Sequence, residues 1–194
     1  MKNKSTRDEI DCSFSIFHNN VLRINRNLEN LQTHILDELN FRFNIIGVTE
    51  TKITDSNPVD CSPTIPGYNF EHVSTPLASG GVGKFIDEML NYKVLERTSN
   101  EAFQALWIEI SFVKKKTVIC GVIYRQHNSP DCFQSYFEET FEKLISTGKQ
   151  LYILGDFNID LLKFETSRYS RDFLLALQSC YLIPTIDKPT RVRN

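Results

Sequence analysis

The segment LYILGDFNIDLL (residues 151–162) decides the fold that we predict for this chain. Its first four residues are apolar and are followed by Gly155, so they predict a short buried strand. Asp156 and Asn158 come directly after that strand. Because side chains that follow different strands of an α/β protein converge where ligands bind, these two residues mark a candidate site.

Three other apolar runs end on polar side chains in the same way, at Asn19–Asn20, Glu50 and Tyr124–Arg125. Strand and helix patterns alternate along the whole chain, which is typical of layered α/β or α+β domains. Strands are predicted at 13–17, 43–48, 84–86, 106–113, 117–124 and 151–154. The runs 106–113 and 117–124 flank Lys114–Lys116 and predict a hairpin.

Three amphipathic helices are predicted between these strands. The first covers 26–40, with one apolar face formed by Leu28, Leu31, Ile35, Leu36 and Leu39. The second begins at Ser129-Pro130-Asp131, because proline is favoured in the first turn, and stops before Gly148. The third covers about 170–181, with Phe173, Leu174, Leu177 and Tyr181 on its inner side.

Composition limits the class of protein. The chain has 194 residues, 41% of them hydrophobic, which predicts one globular domain. A formal charge of −2 argues against a strongly basic nucleic-acid module. Five widely spaced cysteines exclude a zinc ribbon and argue against a disulfide scaffold.

The chain also lacks a membrane signature. The polar segment 1–12 has no signal-peptide core and is predicted to be disordered, and no apolar run approaches the roughly 20 residues of a membrane helix. We therefore expect a cytoplasmic or nuclear protein without a membrane partner.

The polar residues at the strand ends are carboxylates and amides, with no cluster of cysteine or histidine. Oxygen ligands of this kind suit a hard cation such as Mg²⁺, which usually takes one or two protein carboxylates. Any one of these residues alone is more simply a turn former or a helix cap. Their recurrence at several strand ends favours a site.

Six motifs occur along the chain: HNNV (18–21), IIGVTETKIT (45–54), GGVGKFI (80–86), GVIYR (121–125), LGDFNIDLL (154–162) and KPTR (188–191). Together they resemble the endonuclease/exonuclease/phosphatase superfamily, and within it the endonuclease domain of LINE-type (non-LTR) retrotransposons. The resemblance covers about residues 13–194. It implies a four-layer α/β sandwich, in which two mixed β-sheets face each other between outer helices.

The resemblance also implies a DNA-nicking phosphodiesterase that uses Mg²⁺ or Mn²⁺, with DNA as substrate and a downstream reverse transcriptase domain as partner. In that family Glu50 looks like the metal-binding carboxylate. Asn20 looks like the amide that supports the metal and phosphate site, and Tyr124 is similar to a tyrosine that hydrogen-bonds the phosphate. Asp156 resembles the residue that orients or deprotonates the attacking water, and Asn158 resembles its phosphate-binding partner.

One part of the family pattern is absent. The family completes its site with a late Asp and an Asp-His pair, whereas none of the four histidines (18, 34, 72 and 127) follows an aspartate. We therefore expect a domain that is incomplete at its C-terminus, with the last strands missing. Two alternatives stay open: a non-catalytic, truncated retroelement remnant, and a phosphatase or lipid phosphodiesterase of the same superfamily.

Overall fold

The computed structural model of the protein describes residues 14–56, 62–112, 116–127, 132–186 and 188, without the side chain of Ile35. Within these residues, eight strands form two four-stranded sheets. The first sheet has the order β1-β2-β4-β3, with β1 at Ile16–Asn20, β2 at Ile45–Thr49, β3 at Tyr68–Val73 and β4 at Val82–Asp87. The second sheet follows the chain order, with β5 at Asn91–Ser99, β6 at Phe103–Ser111, β7 at Val118–Arg125 and β8 at Gln150–Asp156.

Each sheet is mixed. The β1/β2 and β7/β8 pairs are parallel, and the other neighbouring strands are antiparallel. The helices lie outside the two sheets: α1 at Ile24–Leu31, continued by a π-helical segment at Gln32–Asp37, then α2 at Cys132–Ile145 and α3 at Arg168–Ser179. A short 3₁₀ turn, Leu161–Lys163, precedes α3.

The period-two alternation of the strands produces four layers. In β6, Leu106 and Ile108 face the first sheet, whereas Trp107 faces α2 and packs on Phe141. On the other side, α1 covers the outer face of the first sheet, where Ile24 and Leu31 join a buried cluster with Ile46, Val48 and Phe85. The predicted sandwich of two facing mixed sheets between outer helices is confirmed.

A glycine lets the sheets approach each other closely in the middle layer. A Cβ atom on Gly47 of β2 would lie 2.8 Å from the Leu154 Cδ1 atom of β8. Lys84 of β4 is paired in register with Gly47 and also points inward. Its buried ammonium donates to the Leu106 carbonyl oxygen at 3.0 Å and to the carbonyl oxygen of Cys120, so a lysine ties the two sheets together.

Several predicted boundaries and faces are wrong. The first strand begins at Ile16 and ends at Asn20, rather than covering 13–17. The first helix starts at Ile24 and becomes π-helical, and this change of winding leaves Leu39 55% exposed instead of on the inner face. The last helix ends at Ser179, so Tyr181 lies beyond it and is 89% exposed.

The hairpin and the second helix follow the predictions more closely. Strands β6 and β7 pair in antiparallel register, as their sequence pattern predicts. Gly148 has φ +66° in the turn after α2, in agreement with its expected role as a stop. The predicted cap residues Ser129-Pro130-Asp131, the segment 1–12, the residues Lys114–Lys115 and the segment 189–191 lie outside the described residues.

We predict that Lys84 gives the stability of the protein a specific dependence on alkaline pH. Burial lowers the pKa of Lys84 from its ordinary value of 10.5 to about 8 in the folded state. Between these two values the unfolded chain binds a proton that the folded chain does not, so the free energy of unfolding rises with pH. Compared with a Lys84→Met variant, the wild type should gain up to ~3 kcal/mol across this window.

Urea titrations of both proteins between pH 7.5 and 10.5 measure this difference. The tyrosines are present in both proteins, so their titrations cancel to first order, and both proteins carry Cys120→Ala because the pKa of the Cys120 thiol itself depends on Lys84. Parallel curves for wild type and Lys84→Met would contradict the prediction.

Candidate active site

The carboxyl ends of four strands meet at one edge of the sandwich. The parallel pairs β1/β2 and β7/β8 lie opposite each other, with β2 contacting β7 and β8, and β1 contacting β8. At this edge the side chains between the sheets change from apolar to polar. Asn20, Tyr124 and Asp156 are the last or next-to-last residues of β1, β7 and β8, and Glu50 follows β2.

Two hydrogen bonds cross between the sheets at this edge. The Asn20 Nδ2 atom donates to Asp156 Oδ2 at 3.1 Å. The Tyr124 hydroxyl donates to Glu50 Oε1 at 3.0 Å. Four of the five predicted site residues therefore form two hydrogen-bonded pairs at the same edge, and one pair joins residues 136 positions apart in the chain.

The turn that carries Glu50 has an unusual backbone. Glu50 and Lys52 both have φ +57°, in the left-handed region that residues other than glycine rarely adopt. The turn is fixed by main-chain bonds, in which Thr51 N donates to Gly81 O at 3.2 Å and Lys52 N donates to Gly80 O at 2.9 Å. These bonds hold the Glu50 carboxylate at the edge between the sheets.

The turn after β8 carries the other two predicted residues. The main-chain N–H of Asn158 donates to Asp156 Oδ1 at 3.2 Å. The side-chain Nδ2 atom of Asn158 donates to the main-chain carbonyl oxygen of Arg125 at 2.6 Å. Asn158 has φ +51°. Its side chain is also hydrogen-bonded with Tyr124, which lowers the pKa of that phenol. The fifth predicted residue therefore joins the other four.

Gly155 explains why the chain can turn at this point. Its φ is +152°, and a Cβ atom there would lie 2.0 Å from the Ile123 carbonyl oxygen of the parallel neighbour β7. Any larger residue would push β8 away from β7. Glycine is therefore required beside Asp156.

Burial and charge keep Tyr124 protonated. Burial is the largest cause of a raised pKa of the Tyr124 phenol, and the charge of Glu50, the hydrogen bond to Glu50 and the charge of Asp156 act in the same direction. The phenol is therefore a hydrogen-bond donor at any physiological pH. Such a donor can be offered to an anionic oxygen that enters the site.

His18 lies on the same inward face of β1 as Asn20. Burial lowers the pKa of His18 to about 4, although the charge of Asp156 opposes the shift. One of its ring nitrogens, Nε2, is 3.3 Å from the Thr49 hydroxyl. At neutral pH the ring is uncharged and hydrogen-bonded, so it contributes to packing between β1 and β2.

Sequence reasoning missed three polar residues around the site. The Lys52 ammonium lies 3.6 Å from Glu50 Oε2, and Gln126 Oε1 lies 3.5 Å from the Tyr124 hydroxyl oxygen. Gln104 is fully buried and accepts a hydrogen bond from Gly81 N at 3.0 Å. Gln104 had a signal in the sequence, because it shares the inward face of β6 with Leu106 and Ile108, where a polar side chain needs a partner.

The donor set fits a magnesium ion. Within the described residues, no group of three or more His, Cys, Asp or Glu side chains could hold a metal ion. Mg²⁺ does not need three such side chains, because it usually takes one or two carboxylates and completes its coordination shell with water and substrate phosphate. The Glu50 carboxylate, with the Asn20 side-chain oxygen on the neighbouring strand end, supplies hard oxygen ligands of this kind.

The two-sheet sandwich is the fold of endonuclease/exonuclease/phosphatase proteins. The catalytic domain of Xenopus laevis APE2 superposes with a TM-score of 0.56 at 20% identity, over 84% of this chain and 67% of that one. The AP endonuclease LMAP from Leishmania major gives a TM-score of 0.60 at 12% identity, over 86% and 66%. A 3′ phosphatase, NExo from Neisseria, solved with a product DNA hairpin, gives 0.51 at 17%, over 87% and 71%.

The chain therefore spans about two thirds of the length of these neighbours. At this identity the similarity establishes the fold. No protein-family model matches the chain, and no curated protein matches it. None of the described helices is long and apolar enough to cross a membrane.

We predict that His18 makes the protein acid-sensitive. Between pH 6.5 and 4 the unfolded chain takes up a proton on this histidine and the folded chain does not, so the free energy of unfolding falls as the pH falls. The wild type should lose stability more steeply over this range than a His18→Gln variant. Urea titrations at several pH values measure the two slopes.

His34 supplies the matched control, because its side chain is 70% exposed on the first helical segment. His34→Gln should leave the acid slope of the wild type unchanged. Equal slopes for wild type and His18→Gln would show that the buried ring does not resist protonation.

Proposed function

We propose that the protein is a metal-dependent phosphodiesterase that nicks DNA, as the endonuclease domain of a non-LTR retrotransposon. The observation that supports this most is the meeting of Asn20, Glu50, Tyr124 and Asp156 through two hydrogen bonds between the sheets. Asn158 is joined to the same group by its bond to Asp156. These are the side chains that hydrolysis of a phosphodiester requires.

The roles follow from the chemistry of each group. Hydrolysis needs a positioned water whose proton is removed as it attacks phosphorus. Asp156 is the carboxylate suited to this role, because the bonds from Asn20 Nδ2 and Asn158 N fix both of its oxygens. A carboxylate held in this way can orient the water and accept its proton.

The developing negative charge on the phosphate needs donors. Tyr124 supplies a hydroxyl that stays protonated, Asn20 supplies a side-chain amide beside Asp156, and Asn158 supplies a side-chain amide that is held by the Arg125 carbonyl. Donors fixed before the reaction stabilise charge most effectively, because they need no reorganisation in the transition state.

Glu50 would hold the cation, with the Asn20 amide beside it. When bound, the cation supplies positive charge that neutralises the phosphate oxygens and helps the leaving oxygen depart. Lys52, 3.6 Å from Glu50 Oε2, adds a second positive charge at the same edge. The site thus combines one carboxylate for the cation with another for the water.

The choice of DNA and of a retroelement rests on two kinds of support. The motifs TETKIT (49–54) and GDFNIDLL (155–162) resemble the retrotransposon branch, and the structural neighbours include AP endonucleases and an enzyme solved with product DNA. In such an element the nick would supply a 3′-hydroxyl to a reverse transcriptase domain. With such a partner, the protein would act on DNA in the nucleus or the cytoplasm.

A supercoiled-plasmid nicking assay tests the proposal. With Mg²⁺ or Mn²⁺ the wild type should convert supercoiled to open-circular DNA, and EDTA should stop the reaction. Asp156→Asn should lower the rate by roughly 10²–10⁴-fold, because the proton acceptor is lost. Glu50→Gln should lower it as well, and excess Mn²⁺ should partly restore it.

Asp172→Asn is the matched control, since it removes a half-exposed aspartate of α3 that forms an ion pair with Arg168. Equal nicking by wild type and Asp156→Asn would refute the assignment. Hydrolysis of a phosphoinositide without nicking of DNA would favour the phosphatase or lipid phosphodiesterase alternative. A folded wild type without metal-dependent hydrolysis of either substrate would favour the non-catalytic remnant.

A further inference from the structure

Arg125, the last residue of β7, is a buried cation beside the site with no role in the chemistry described above. Its residue is only 5% exposed. The guanidinium donates from Nη1 to the Phe157 carbonyl oxygen at 3.2 Å. Its carbon lies 4.7 Å from the centre of the Tyr169 ring and 5.8 Å from that of Phe133.

This placement is costly for a residue that only fills space. Burying a charge carries a large desolvation penalty, and an apolar side chain of similar volume fills a core at lower cost. Among the described residues, the Arg125 Nε atom has no hydrogen-bond partner. The favourable contacts of the guanidinium are therefore the Phe157 carbonyl and the faces of the two rings, which attract a planar cation.

The carbonyl that it binds belongs to the turn that carries the chemistry. Phe157 lies between Asp156 and Asn158, and its ring packs on Phe133 and Phe173. In the opposite direction, the Asn158 Nδ2 atom donates to the main-chain carbonyl of Arg125 at 2.6 Å. Two hydrogen bonds of opposite direction thus join the end of β7 to the turn after β8.

These two hydrogen bonds fix the conformation of the turn at Asn158. Asn158 is left-handed, at φ +51°, a conformation that asparagine tolerates better than other residues except glycine. The contacts of the turn therefore decide how its side chains are oriented. The ring-stacked guanidinium holds the peptide before Asn158, and the Arg125 carbonyl holds its side chain.

We propose that Arg125 is a positioning residue. By binding the Phe157 carbonyl while it lies over the Tyr169 and Phe133 rings, it sets the orientation of the Asn158 side-chain amide and of Asp156 relative to Tyr124. This inference rests on the proposed function. It identifies no new substrate contact, because the guanidinium is covered by Phe133 and Tyr169. A lysine could donate to the same carbonyl, but it lacks the planar group that lies over the Tyr169 and Phe133 rings.

An Arg125→Lys variant tests the inference, because it keeps the charge and removes the planar group. Two quantities are measured at a temperature where the variant is fully folded by near-UV circular dichroism. The first is the split of the nicking rate into kcat and KM. The second is hydrogen exchange of the Asn158 side-chain amide by NMR, with Asn27 Nδ2, which donates to the Val21 carbonyl at 2.8 Å, as the internal reference.

The expected result is a fall in kcat of about 10²-fold with KM changed less than about threefold, since a shift of ~1 Å in a positioned group has this effect. Exchange at Asn158 should become at least about tenfold faster, and exchange at Asn27 should stay unchanged. Arg97→Lys, in which the half-exposed ion pair with Glu71 is altered, should change none of these quantities.

Unchanged exchange at Asn158 in Arg125→Lys would overturn the inference, and so would faster exchange at Asn158 with the kcat of the wild type. The exchange measurement does not need an active enzyme. If the wild type nicks no DNA, the proposed function fails separately, and faster exchange at Asn158 still supports the positioning of the turn while unchanged exchange overturns it.

Discussion

The close approach of two sheets along their parallel strand pairs is the constraint on which the site depends. Gly47 gives β2 room against Leu154 of β8, so the inner faces pack without a gap. Because β1/β2 and β7/β8 are each parallel, their carboxyl ends lie at the same edge. The burial of apolar side chains between the sheets thus brings distant polar residues together, and the two cross-sheet hydrogen bonds follow from that packing.

Polar groups within this middle layer occur in two forms. Lys84 lies in the interior, where its ammonium is satisfied by two main-chain carbonyls and holds the sheets in register. Glu50, Tyr124 and Asp156 lie at the edge, where Tyr124 donates to Glu50 and Asp156 accepts from Asn20 and Asn158. The Lys84 bonds connect the two sheets in the interior, whereas the polar groups at the edge form the candidate site.

The sequence predicts those parts of the fold that local pattern specifies. Strand β8 and the β6/β7 hairpin are apolar runs with clear ends, and polar residues at the ends of β1, β2, β7 and β8 identify the four strand ends of the site. The pattern fails for β3 and β5. In β5 alternate residues from Asn91 to Ser99 are exposed, and its many polar side chains hide the strand. Gln104 was missed because its partner Gly81 is distant in the chain, and Arg125 was seen only as a polar strand end because its contact with the Phe157 carbonyl depends on tertiary packing.

The backbone around the site argues against a set of ordinary turn residues. Glu50, Lys52 and Asn158 are all left-handed, and for Glu50 and Lys52 this conformation costs of order 1–3 kcal/mol each. Leu22, two residues after Asn20, is left-handed as well, and its amide donates to the Asn20 Oδ1 atom. Asparagine tolerates this conformation, but leucine, glutamate and lysine do so at a cost that glycine would avoid. Strain of this kind, placed after two of the strands that meet, β1 and β2, is typical of a preorganised site, because the side chains it orients are then fixed before a substrate arrives.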